Sequence, residues 1–143
     1  MKQFLADAPS FVAPVFRAVN DHLRSVDDDS GGDLIVDPIP GKVLFKNGPT
    51  FCVLDVKSKW VAVGFSLRRS LETGRLSRRT TEYGDRCYHV INVDDPELID
   101  DEFRDWLTEA YHHGARGKRE MAKPSGVDPM IPDDIDFEIA PPR

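Results

Sequence analysis

Near the start of the chain, Phe11, Val12, Val15, Phe16, Val19, Leu23 and Val26 recur at three- and four-residue steps, which gathers them on one face of an α-helix. Ser10 stands where an N-cap belongs, and Pro14 falls within the first turn, where its missing N–H costs little. The helix is expected to run to about Val26, and "DDDSGGD" reads as a glycine stop followed through an acidic loop.

The period then changes from three or four to two. "DLIV", "KVLFK", "TFCVLDV", "KWVAVGFSL" and "CYHVINV" are rich in β-branched and aromatic residues, separated by turn chemistry at Pro40-Gly41 and Asn47-Gly48-Pro49. Short connections predict antiparallel neighbours. In "KWVAVGFSL", Val61, Val63, Phe65 and Leu67 project to one face, and Trp60, Ala62, Gly64 and Ser66 to the other. The second face is small apart from its tryptophan, so a helix or ligand could approach the backbone closely there.

Helical spacing returns after Asp95-Pro96, a cap followed by a favourable first residue, with Glu97 suited to the positive helix end. Ile99, Phe103, Trp106, Leu107 and Ala110 form its apolar stripe. Gly114 is the expected stop, and His112, His113 and Arg116 suit the negative end of the dipole, which accounts for the paired histidines without metal. These patterns predict an α+β domain over residues 1–114: an antiparallel β-meander with an N-terminal and a C-terminal helix on one face, covered by Val12, Phe16, Phe103 and Trp106. Residues 115–143 read as a polar, acidic tail or arm. Within it, "DDIDFEIA" alternates Ile135, Phe137 and Ile139 with Asp134, Asp136 and Glu138, a strand-like pattern able to add to a sheet edge of its own or a neighbouring chain.

A chain of 143 residues can bury a core without staples. Cys52 and Cys87 lie far apart with no nearby metal-ligand spacing, so a reducing cytoplasmic setting with no metal and no cofactor is expected. No apolar run reaches membrane-spanning length, and Asp7 and two prolines interrupt the N-terminal apolar residues, so neither membrane nor export signal is expected. Charge changes the picture more. The formal net charge is -6, yet residues 57–86 carry eight cations (Lys57, Lys59, Arg68, Arg69, Arg75, Arg78, Arg79, Arg86) against three anions (Glu72, Glu82, Asp85), a local surplus of +5 that leaves -11 elsewhere.

"FCVLDVKSKWVAVGFSL" followed by "CYHVINVDDPELIDDEFRDWLTEAY" resembles a bacterial and archaeal family of unknown function, DUF5655, over roughly residues 11–111. The resemblance rests on the paired central strands, the strand at His89 and the closing "WLTEAY". It implies a small α+β module, sometimes joined to other domains, and implies no catalytic residues.

Candidate chemistry is sparse. Cys87 and His89 stand two apart on one strand and point to the same face, with Cβ atoms about 6 to 7 Å apart, and a buried thiol beside a hydrogen-bonded histidine is the commoner outcome of such spacing. Asp27-Asp28-Asp29, Asp94-Asp95 and Asp100-Asp101 fall at loop or helix-surface positions, and "DDDSGGD" lacks the ligand spacing of a calcium loop. No phosphate-binding glycine motif is present. The arginines can be read as an anion-recognition face, with Trp60, Tyr83 and Tyr88 as stacking surfaces, or as a solubilising segment that protects a sheet edge. A third reading has the acidic stretch 128–138 folding against them, in cis or across a dimer.

The expectation is therefore a non-catalytic cytosolic binding or interaction module, with Arg68, Arg69, Arg75, Arg78, Arg79 and Trp60 as its contact residues. Its partner would be a protein or an anionic ligand, with nucleic acid left open and homodimerisation through the C-terminal arm an accompanying option. The alternative is a small-ligand domain or enzyme on the sheet surface near Gly64, with Ser66, Cys87 and His89 lining its pocket.

Overall fold

The computed structural model describes Phe4 and residues 8–120, apart from the side chains of Tyr83 and residues 113–120. Helix α1 (Val12–Ser30) leads into strands β1 (Ile35–Ile39), β2 (Lys42–Lys46), β3 (Thr50–Val56), β4 (Val61–Leu67), β5 (Thr81–Tyr83) and β6 (Arg86–Val93). A 3₁₀ turn (Pro96–Leu98) and helix α2 (Asp101–Glu120) complete the described chain. The acidic arm and its "DDIDFEIA" pattern lie outside the described residues. No described helix is long and apolar enough to cross a membrane.

The expected α+β architecture forms, with one addition. All strand pairs are antiparallel, in the order β1-β2-β3-β4-β6-β5. β5 is a three-residue strand that the period-two reading missed, because Thr81, Glu82 and Tyr83 are too short a run to display alternation. It turns through Gly84, at φ 59°, directly into β6. The hairpin returns β6 to the inside, so the arginine-bearing connection of residues 68–80 must pass β6 to reach the sheet edge.

Alternation fixes two faces. Val61, Val63, Phe65 and Leu67 pair with Val93, Ile91, His89 and Cys87, and this face receives both helices. Phe16 of α1 stacks on Phe45, while Phe103 and Trp106 of α2 lie 5.9 and 6.1 Å from the Phe65 ring. Phe65 is thus the hub of the core, and truncating a buried aromatic to alanine typically costs about 3 to 5 kcal/mol. Between β2 and β3 the register shifts, skipping Phe51, whose buried ring meets the edge of Tyr111 at 5.6 Å.

Helix boundaries depart from the sequence reading for identifiable reasons. Ser10 does not cap α1; Phe11 takes the cap position without a side-chain bond, and the Val12 N–H is met by the Pro9 carbonyl. Rather than ending near Val26, α1 continues through the aspartates to Ser30, and Gly31 closes it at φ 65° by donating to the Asp27 carbonyl. The aspartates belong to the helix, not to an acidic loop. Asp27 is held there because its Oδ1 accepts from Tyr111 Oη (2.7 Å) and Leu34 N (3.1 Å).

Asp95 caps the 3₁₀ turn instead of α2, accepting from Glu97 N at 2.9 Å. Ile99 breaks the helical run with ψ 72°, and Asp100 then accepts from Phe103 N at 3.0 Å, which makes it the carboxylate at the start of α2. Gly114 does not stop that helix, which runs on to Glu120. Glycine inside a helix costs only about 1 kcal/mol, and this helix carries two, Gly114 and Gly117.

Candidate functional site

The connection of residues 68–80 is bound down at both sides of β6. Leu71 is buried at 7% exposure, and its N–H donates to His89 Nε2 at 3.0 Å. Farther along, Ser77 N donates to the Val90 carbonyl at 2.8 Å, and Ser77 Oγ accepts from Asn92 N at 2.8 Å. The segment therefore extends the sheet edge in place of a longer β5.

His89 is fully buried and stacks on Phe65 at 5.3 Å. Accepting from Leu71 at Nε2 requires the proton to sit on Nδ1. Burial lowers its pKa from 6.5, and the Phe65 and Cys87 carbonyls offset this only in part, without reaching good hydrogen-bond geometry at Nδ1. Histidine 89 is thus a neutral clamp on a loop. Cys87 shares its face, but burial and the nearby Glu82 carboxylate raise the thiol pKa, which disfavours the thiolate. Cys52 is enclosed, and burial pushes its thiol well above the usual range. Ser66 pairs with Tyr88 and projects from the opposite side of the sheet, so it cannot share a pocket with His89. The two faces that the sequence reading joined into one alternative site are separated by the sheet itself.

Where the loop meets α2 there is an open cavity of about 390 Å³, lined by Arg69, Ser70, Leu71, Glu72 and Thr73 from the loop and by Glu102 and Trp106 from the helix. Arg69 stands at its rim as a two-pronged fork on Glu109, with Nε and Nη2 at 3.0 and 2.9 Å from the two carboxylate oxygens. Its side chain remains 57% exposed. Arg75 is more enclosed. It reaches Asp100 at 3.0 Å, Glu102 at 2.9 Å and the Leu98 carbonyl at 2.9 Å, and its guanidinium lies 5.4 Å from the Trp106 ring and 5.7 Å from Phe103. A backbone hydrogen bond from Phe103, with the neighbouring Arg75, holds the Asp100 carboxyl below its ordinary pKa.

The sequence-designated arginines thus have distinct places. Arg68 donates to Asp85 at 2.8 Å, beside the β5–β6 turn. Arg69 and Arg75 brace α2, whereas Arg79 is exposed and Arg78 partly exposed. The ring partners of Arg75 are Phe103 and Trp106, not Trp60, which is partly buried at the start of β4, or Tyr88, which is buried over Gly64. Sequence reading missed the acidic half of the site. Glu102 and Glu109 share a helical i, i+7 spacing and Asp100 stands just before the helix, with no signal that they meet arginines 25 to 40 positions earlier. Among the described residues no group of three or more histidines, cysteines and carboxylates is placed to hold a metal.

The family model described as a domain of unknown function, DUF5655, matches residues 1–114. Comparison with curated proteins and with solved structures returns no match.

Proposed function

The chain belongs to the DUF5655 family, and we propose that it is a non-catalytic binding module whose contact surface is the arginine-bearing loop of residues 68–80 and the cavity it forms with α2. The observation that carries this reading is the Arg69 fork at the rim of the cavity. A half-exposed guanidinium held flat by one carboxylate is already oriented for a second, so a carboxylate or phosphate of a partner can exchange with Glu109 without rebuilding the loop. Leu71 and Trp106 supply apolar lining, and Ser70 and Thr73 supply hydroxyls for orienting such a group. The state of the candidate nucleophile and base supports a binding over a catalytic role: the Cys87 thiol is disfavoured as thiolate, and His89 Nε2 is occupied by the Leu71 N–H.

The test is calorimetric titration of the full chain with inorganic phosphate, an acidic peptide and a short single-stranded oligonucleotide at stepped salt. Glu109→Gln leaves the fork with a weaker competitor, so it should tighten binding severalfold, whereas Arg69→Ala should abolish it. Affinity should fall as salt rises. Binding of any of these probes that ignores both substitutions places the contact elsewhere, and no binding by wild type or Glu109→Gln refutes the anion reading.

A further inference from the structure

The sheet has a second face, turned away from both helices. Strand register lines Leu44, Val53, Gly64 and Val90 side by side across β2, β3, β4 and β6. Leu44, Val53 and Val90 are 6%, 2% and 4% exposed, and Ala62 in the next row is 6% exposed, although the ring contacts of α1 and α2 with the sheet run to the other face. Four strands at about 4.8 Å spacing make this apolar stripe about 14 Å long. Gly64 forms a dip in it, over which the Tyr88 ring leans.

One segment of this chain fits such a stripe. Ile135, Phe137 and Ile139 follow one another at every second residue, so in an extended conformation they span about 13 Å on one side. Asp134, Asp136 and Glu138 then turn to the other side, toward water. Charge agrees in sign, with a small margin: residues 128–138 contain five acids and no cation, while Lys42, Lys46 and Arg86 border the stripe on the same face against Asp37 and Asp55. Reach is sufficient as well. Thirteen positions separate the end of α2 from Asp133, enough for about 45 Å of chain, against a radius of gyration of about 13 Å for a domain this size.

We propose that residues 133–140 lie across this second face in cis, with Ile135, Phe137 and Ile139 seated on the Leu44, Val53, Gly64 and Val90 stripe. The acidic arm is then a covering layer of the sheet, and it does not compete for Arg68, Arg69 and Arg75, each of which holds a carboxylate of the domain. This goes beyond the binding role proposed for the loop and stands or falls independently of it, since the two surfaces are on different sides of the sheet.

Amide hydrogen exchange and methyl NMR on the full-length chain test it. Amides of residues 134–139 should exchange at least about tenfold more slowly than an unstructured peptide. Phe137→Asp should remove that protection and shift the methyl signals of Leu44, Val53 and Val90, while those of Val63 and Leu67 on the helix side stay in place. Unprotected exchange in the wild-type arm overturns the proposal, as do unmoved stripe methyls in the variant. Protection that grows with protein concentration also overturns it, assigning the face to a second copy of the chain.

Discussion

Replacing His89 by Phe removes the acceptor that holds Leu71 while keeping an aromatic ring beside Phe65. At about pH 7.5 the Leu71 N–H, buried under the loop, would lose its partner, a loss of about 1 to 3 kcal/mol. For a domain of this size that corresponds to a melting temperature lower by roughly 3 to 10 °C. The larger ring adds a packing cost, but that cost does not depend on pH, and the titration separates the two. Burial holds the wild-type imidazole below its ordinary 6.5, so between that value and its lower folded pKa the unfolded chain binds a proton that the folded chain refuses. The histidine's contribution is therefore fully present above about pH 6.5 and declines as the solution is acidified through that window. His22, whose pKa is also lowered by burial, contributes to both proteins alike and cancels from their difference. Urea unfolding of wild type and His89→Phe at steps from about pH 7.5 to pH 5 should show the gap between them closing below pH 6.5, by up to about 1.4 kcal/mol per pH unit. A gap that stays constant across the range would show that His89 is packing alone and that the neutral-clamp argument is wrong.

Three further outcomes follow from the geometry. Gly64→Ala places a Cβ 2.0 Å from Tyr88 Oη and 2.5 Å from its Cζ, so chemical denaturation should show a loss of about 1 to 3 kcal/mol, largely recovered when Tyr88→Leu is added; equal stability of Gly64→Ala and wild type would refute the contact. Tyr111→Phe deletes the hydroxyl that donates to Asp27 at 2.7 Å and should lower stability by about 1 to 3 kcal/mol at neutral pH, with the tyrosinate titration of wild type displaced up to about 12 in a spectrophotometric scan. Native protein should react slowly with iodoacetamide at neutral pH, Cys87 ahead of the enclosed Cys52, and both should react at ordinary rates in denaturant; a fast native reaction at Cys87 would reopen its role as a nucleophile.

The sheet and the core were legible because each rests on a period that burial enforces. Val61 to Leu67 alternate between faces whichever strands flank them, and Phe103, Trp106 and Leu107 fall on one helical stripe whatever ends the helix. Helix ends were less legible because they are decided by single contacts to distant residues. Asp27 reads as loop composition until Tyr111, 84 residues away, supplies the hydroxyl that keeps it on the last turns of α1. Asp95-Pro96 carries all the marks of a helix start and does start one, but a 3₁₀ turn of three residues, after which Asp100 repeats the capping job for α2.

The arginines show the same limit for charge. Counting along the chain gives residues 57–86 a surplus of +5, and a surplus in sequence suggests a basic surface. A surface is instead the sum over whatever the fold brings together, and a screening length of about 8 to 10 Å at ordinary salt means that only neighbours in space enter that sum. Arg69 meets Glu109, Arg75 meets Asp100 and Glu102, and Arg68 meets Asp85, so three cations of the segment come to rest on four carboxylates, three of them from the acidic remainder of the chain. Under the proposed binding role, a partner would meet a mixed, oriented array, which favours a ligand that can exchange for one carboxylate over a polyanion that needs uniform positive potential. Selectivity between the acidic peptide and the oligonucleotide in the titration should accordingly favour the peptide, and preference for the oligonucleotide at every salt concentration would mean that Arg78 and Arg79, rather than the Arg69 fork, dominate the contact.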